Sequence, residues 1–190
     1  AHQIGGNDRA VKLIRDALRI KPDYAEAHFN LGLTLKDLGQ LNNAVASYNK
    51  ALAIVPDYVE AHSNLGLIFH ELGKIDKAEE SFNKAINIKP NYADVHSNLG
   101  LALYDQGKIE EAVVSYNKAL AIKPDLPQAH FNLGNALKGL GKTDEAVVSY
   151  KKALDIKPAY AEAYSNLGVV LQGLGQLDEA LASYNKALAI

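Results

Sequence analysis

The chain has 190 residues, 48% hydrophobic and 22% charged, with 14 Gly, 6 Pro and no Cys, Met or Trp, which excludes a disordered chain, a collagen-like repeat and a disulfide scaffold. Twenty Lys and Arg against 22 Asp and Glu leave a net charge of −2, so nothing global attracts DNA or an acidic membrane, and a nucleic-acid role would need a local basic stripe. The lack of Cys removes thiolate metal sites and cysteine nucleophiles and is compatible with a reducing compartment, the cytoplasm; no apolar run approaches the ~20 residues of a membrane span.

In chain order, Ala1-His2-Gln3-Ile4-Gly5-Gly6 lacks the charged-then-apolar character of a signal segment. With no initiator Met and a stop at Ile190, the sequence reads as a fragment of a longer protein. From residue 25 the pattern is explicit. Ala27, Leu31, Leu35 and Leu38 fall at helical intervals, Gly39-Gln40 interrupts, and Leu41, Ala44, Val45, Tyr48, Ala51 and Leu52 resume before Pro56. Two helices joined by a glycine turn are predicted. The same arrangement follows at 59–92, 93–126, 127–160 and 161–190, and residues 1–24 read as the tail and second helix of a preceding unit.

The period is 34 residues and holds in several columns at once. Pro22, Pro56, Pro90, Pro124 and Pro158 mark unit ends; Gly5, Gly39, Gly73, Gly107, Gly141 and Gly175 mark turns. Gly32, Gly66, Gly100, Gly134 and Gly168, with the Ala44 and Ala51 columns, leave room for close helix approach, while Tyr48, Phe82, Tyr116, Tyr150 and Tyr184 fill the wider gaps. Capping-box spacing is present at Asp23 with Glu26, Asp57 with Glu60 and Asp125 with Gln128, and Asn42, Asp76, Asp144 and Asp178 are expected to cap second helices. Pro127 falls in a first turn, where its missing N–H costs little. Neither helix of a unit buries its apolar face alone, so neighbouring units must stack. The fold class is all-α, an α-solenoid of stacked helix-turn-helix repeats in a single array over 1–190.

A 34-residue unit reading Leu31-Gly32, Ala44, Tyr48, Ala51, Pro56 resembles the tetratricopeptide repeat. The resemblance covers the whole chain. One departure is systematic: where the family pattern has Trp, this chain has His28, His62, His96, His130 and Tyr164, smaller groups expected to loosen local packing. The resemblance implies a right-handed superhelix whose first helices line a concave groove that binds extended or helical segments of partner proteins.

Asn30, Asn64, Asn98, Asn132 and Asn166 form an invariant column on the first helices, at a place that faces the groove in the family. An amide offers both a donor and an acceptor and can pair with a peptide bond whatever the side chain. Helices stacked at about 10 Å beside a peptide rising ~3.3 Å per residue would bring one Asn to the backbone about every third residue, so five would grip about 12–15 residues. The ladder is similar to that of the tetratricopeptide superhelix of O-linked N-acetylglucosamine transferases. Specificity would come from diverged columns: Phe29 and Phe131 as apolar contacts, Asn135 where other units carry Leu33, Leu67, Leu101 and Val169, and Tyr104 and Lys138 beside Lys36, His70 and Gln172. The column Glu26, Glu60, Asp94, Gln128, Glu162 is mildly acidic; it doubles as first-turn dipole compensation and argues against a clamp for acidic C-termini, whose Lys and Arg are absent here.

Other signals are weaker. Histidines one repeat apart cannot each sit ~2.0–2.1 Å from one zinc. The run Ala136 to Thr143 matches a relaxed phosphate-loop pattern but ends a helix where the mechanism needs a preceding strand. Lys50, Lys84, Lys118, Lys152 and Lys186 answer the helix dipole. No metal, cofactor or catalytic constellation is expected, nor any nucleic acid or membrane partner. The leading reading is a non-catalytic scaffold for a protein or extended peptide. The alternatives are head-to-tail self-association through uncapped ends and the substrate-recruiting arm of a larger glycosyltransferase.

Overall fold

The computed structural model describes residues 2–190, with side chains from residue 6 onward; Ala1 lies outside the described residues. Eleven α-helices and no strands are found among them: α1 (His2–Ile20), α2 (Ala25–Asp37), α3 (Leu41–Ile54), α4 (Val59–Glu71), α5 (Ile75–Ile88), α6 (Ala93–Asp105), α7 (Ile109–Ile122), α8 (Pro127–Gly139), α9 (Thr143–Ile156), α10 (Ala161–Gly173) and α11 (Leu177–Leu188). The chain forms two compact units, one ending at Pro90 and the other beginning at Asn91. In the first, α2 pairs with α3 and α4 with α5, with α1 packed on α2 and α3 on α4. In the second, α6–α7, α8–α9 and α10–α11 are the pairs, and α7 packs on α8 and α9 on α10.

The turn inside each pair follows from one glycine. Gly39, Gly73, Gly107, Gly141 and Gly175 all have φ between 69° and 78°, a region L side chains rarely enter. The glycine reverses the chain so that the following N–H reaches back: Gly39 N donates to Lys36 O and Gln40 N to Leu35 O, both at 2.8 Å. This pair of hydrogen bonds closes the helix end by satisfying two otherwise orphaned carbonyls. Gly5 departs from its column, since it lies within α1.

Helix starts depart from the capping expectation. The N-cap positions are Tyr24, Tyr58, Tyr92, Leu126 and Tyr160 before first helices, and Gln40, Lys74, Lys108, Lys142 and Gln176 before second helices, none with a side-chain cap bond. Asp23, Asp57 and Asp125 precede the cap by one residue. Asp76, Asp144 and Asp178 lie inside the first turn, where a carboxylate compensates the macrodipole. Pro127 opens α8 as predicted.

The core is built on one contact repeated five times. A Cβ added at Gly32 would stand 2.6 Å from Tyr48 Cε1, and at Gly66, Gly100, Gly134 and Gly168 it would stand 2.4–2.7 Å from the ring of Phe82, Tyr116, Tyr150 and Tyr184. The space left by the glycine is therefore filled by the aromatic of the same pair, not by closer approach of the two backbones alone. Tyr48 and Tyr150 are fully buried, as are the alanines Ala44, Ala51, Ala146 and Ala153. On α11 the apolar Leu177, Leu181 and Leu188 are 63%, 61% and 86% exposed, whereas their counterparts Leu41, Val45 and Leu52 on α3 are half-buried.

The histidine column has a structural task. Nε2 of His28, His62 and His130 lies 2.9, 2.9 and 2.8 Å from the carbonyl oxygen of Pro22, Pro56 and Pro124. A carbonyl only accepts, so Nε2 carries the proton. Each ring ties the turn entering a first helix to that helix, and His28, His96 and His130 are more than nine-tenths buried.

Two glycines of α8 test the ring contact. Gly134→Ala should lower the urea midpoint by the equivalent of about 1–3 kcal/mol through overpacking. Gly139→Ala, whose Cβ would meet only Ile109 Cδ1 at 3.5 Å, should leave it unchanged or raise it by up to about 1 kcal/mol; equal losses at both sites would remove the ring from the account. Burial pushes the phenols of Tyr48, Tyr116 and Tyr150 far above their ordinary value, with Asp37 adding for Tyr48, Asp105 and then Tyr104 for Tyr116, and Tyr104 for Tyr150. A pKa raised on folding gives stability that is complete below the unfolded value of about 10 and is lost above it. Helical circular dichroism should therefore hold to about pH 10 and then fall as the chain unfolds.

Candidate peptide-binding groove

The asparagine column divides by unit. In the first unit Asn30 on α2 is exposed and Asn64 on α4 half-buried. Asn64 Nδ2 donates to Glu60 O on its own helix at 2.8 Å, which leaves its Oδ1 as the outward acceptor. Phe29 stacks on Tyr58 with ring centroids 4.8 Å apart and tilts against Tyr48 at 5.5 Å. Leu33 and Leu67 are half-buried beside them, so this unit offers an aromatic and aliphatic surface with sparse amides.

The second unit is polar and wired together. Tyr160, at the N-cap of α10, donates its hydroxyl to Gln128 Oε1 at 2.7 Å, and Gln128 Nε2 donates to Asn132 Oδ1 at 3.1 Å. Asn135 Oδ1 accepts two bonds, each 2.8 Å, from the Tyr150 hydroxyl and from Asn166 Nδ2. Three of these four bonds join residues 15 to 32 apart in sequence, and the Gln128–Asn132 bond lies within α8. Phe131 lies between Tyr150 and Tyr160, with centroids 6.0 and 5.0 Å away. Burial keeps both phenols protonated well above their ordinary value, so they remain hydrogen-bond donors at every physiological pH.

Each internal bond decides which end of an amide stays open. Asn132 and Asn135 spend their oxygens internally, and among the described residues their NH₂ groups are not engaged; Asn166 spends its NH₂ and keeps its oxygen. Asn132 is itself only 9% exposed. Within the column Asn64, Asn132 and Asn166 are thus oriented half-amides rather than free ones. Asn98 is half-buried on α6, and Tyr104 in the last turn of α6 is near enough to Tyr150 to raise its pKa. Lys138 is an exposed cation in the last turn of α8 and no contact draws it into the network.

Models described as TPR repeat match residues 33–73, 66–107, 100–141 and 134–175, and models described as tetratricopeptide repeat match 13–46 and 161–190. The chain belongs to the tetratricopeptide repeat family. This tetratricopeptide repeat protein superposes on MamA with a TM-score of 0.79 at 28% identity, covering 84% of this chain and 93% of that one. It superposes on YrrB, a TPR protein with an unusual peptide-binding site, at 0.78 and 23% identity over 93% and 91% of the two chains. PilF of Pseudomonas aeruginosa gives 0.84 at 22% over 95% and 82%. The latter two likenesses concern the fold alone. No curated protein matches the chain. Among the described residues of this repeat protein no group of three or more His, Asp or Glu is placed to hold a metal, and no helix is long and apolar enough to cross a membrane.

The sequence pattern singled out Asn135 as a diverged residue but missed its role as the hub. The signal was present: a polar residue stands in an otherwise apolar column, one residue after the glycine on which Tyr150 lies. Gln128 carried a similar signal, because Gln alone in its acidic column can donate. The first unit shows the converse, since the buried Tyr48 hydroxyl, with Leu33 at the matching place, has no hydrogen-bond partner. Asn135→Leu should therefore orphan Tyr150 and cost about 1–3 kcal/mol, while Leu33→Asn should give Tyr48 an acceptor and gain about 0.5–1.5 kcal/mol. Urea titration of the two variants checks both signs, and a gain from Asn135→Leu would mean the hub is not stabilising.

Proposed function

We propose that the chain is a non-catalytic scaffold that holds an extended segment of a partner protein by its backbone, with α6, α8 and α10 of the second unit as the principal grip. The observation that carries this reading is the orientation of the amides: unengaged NH₂ groups on Asn132 and Asn135 beside an open oxygen on Asn166. An extended peptide alternates C=O and N–H along each edge, so donors and acceptors held at neighbouring points suit its backbone. Preorganisation adds to this, since amides already locked by Gln128 and Tyr150 lose little freedom when a peptide arrives. Phe131 and Tyr104 supply apolar surface for side chains, and the first unit, with Phe29, Leu33 and Leu67, contributes a more apolar stretch of the same kind.

Backbone gripping makes a specific prediction. In a screen of unstructured peptides of about 15 residues, the Asn98→Ala, Asn132→Ala, Asn166→Ala variant should lose affinity by at least about tenfold for every peptide that binds, because net backbone hydrogen bonds are removed whatever the side chains. Far-ultraviolet circular dichroism must stay unchanged for the comparison to count. Affinity retained across the panel would reject the amide grip, and loss confined to a few sequences would point to side-chain reading by the aromatic residues instead.

A further inference from the structure

The two helices of successive repeats that do not form the groove leave clefts between them, and three of these share one register. The first lies between α1 and α3, about 730 Å³ in volume, on a floor of His28, Leu31 and Leu35 from α2. The second, between α7 and α9, is about 400 Å³ and the third, between α9 and α11, about 370 Å³. Residues 102 and 136 positions further along stand at matching places, so the chain carries its own internal controls.

Charge separates the first cleft from the other two. Arg15 and Arg19 from α1 and Lys50 from α3 line it against a single carboxylate, Asp23. At the place of Arg15 the second cleft has Asn117, Ala121 stands at the register of Arg19, and Lys152 is balanced by Asp155. The third cleft holds Lys151 and Lys186 with Asp155 and Glu179, and the Lys151–Glu179 pair at 3.5 Å joins α9 to α11 across it. Of these three, the α1–α3 cleft alone combines a net positive lining with an open apolar floor. Arg19 bonds Asp16 on its own helix at 2.8 Å but its side chain remains 80% exposed, and such a surface pair is weak and exchangeable.

We propose that the α1–α3 cleft is a second binding site, for an acidic amphipathic segment of a partner protein that carries two carboxylates one helical turn apart. Arg15 and Arg19 are themselves four residues apart on one side of α1, the separation at which a helical partner presents acidic side chains together. Guanidinium groups pair with carboxylates in a two-bond fork, and Leu18, Leu31 and Ile54 receive the apolar side of the segment. A nucleic-acid strand would leave that floor unfilled. The site shares no residue with the amide groove and does not rest on it.

A fluorescently labelled peptide of about 14 residues, with Glu at positions four apart and Leu on the adjoining helical side, tests the proposal on the full chain. Saturable binding that weakens between about 50 and 200 mM salt is expected. Arg15→Asn with Arg19→Ala, which installs the residues found at the same register on α7, should reduce affinity at least about tenfold with unchanged helicity. Arg15→Glu with Arg19→Glu should bind the matching Lys peptide in place of the Glu peptide. The Asn98→Ala, Asn132→Ala, Asn166→Ala variant should bind the Glu peptide as the wild type does, so that failure here and failure of the groove reading are told apart. No saturable binding, equal affinity for the double variant, or equal binding of a peptide with Glu but no Leu would overturn the proposal. Self-association of the wild type that the double variant loses would assign the cleft to a second copy and overturn it as well.

Discussion

The contact on which everything else depends is an aromatic ring packed directly against a glycine. Tyr48, Phe82, Tyr116, Tyr150 and Tyr184 each occupy the volume that a methyl group on the facing glycine would need. A ring buries more apolar surface than any aliphatic side chain, and here it does so at the centre of a two-helix pair that has no other large core. The glycine loses helix propensity of about 1 kcal/mol relative to alanine, and the ring burial outweighs it. The contact is internal to each pair, and the core continues from pair to pair: Val11, Leu31, Leu35, Ala44, Tyr48, Ala61, Leu65 and Ile68 form one cluster.

That same ring carries the functional variation. The hydroxyl of Tyr150 meets the residue that follows the glycine, so a single substitution there changes what the surface can do. With Leu33 the hydroxyl of Tyr48 is left without a partner; with Asn135 the hydroxyl of Tyr150 anchors an amide that in turn orients Asn166. A scaffold residue thus becomes the base of a recognition surface without any change in the backbone. The first unit keeps its aromatic cluster of Phe29, Tyr48 and Tyr58, and the two units offer different chemistry from one plan.

Where expectation and structure part, the cause is competition for a position. Asp23 and Asp57 have the spacing of a capping box, yet the cap position is held by Tyr24 and Tyr58, and the turn before the helix is instead tied down by a histidine on the proline carbonyl. The ring donates to a carbonyl six residues back, whereas a capping carboxylate would accept from the N–H groups of the first turn. Gly5 repeats the letter of the turn column without its conformation, since it lies within α1.

The sequence by itself determined the period, the helix pairs, the glycine turns and the columns that meet in the core, because all of these depend on residues within about one repeat of one another and on conformational preferences that travel with the residue. It also identified the asparagine column and marked Asn135 as an exception. Which end of each amide is open depended on packing: Asn135 and Asn166 are oriented by partners on other helices, and Asn132 by Gln128 of its own helix, which Tyr160, 32 residues further on, holds in turn. The chemistry of an amide is readable as a letter, but its direction is set by whatever hydrogen-bond partner packing brings to it. The basic cleft beside α1 is likewise a product of packing, since Arg15, Arg19 and Lys50 are scattered letters until two helices stand apart over a third.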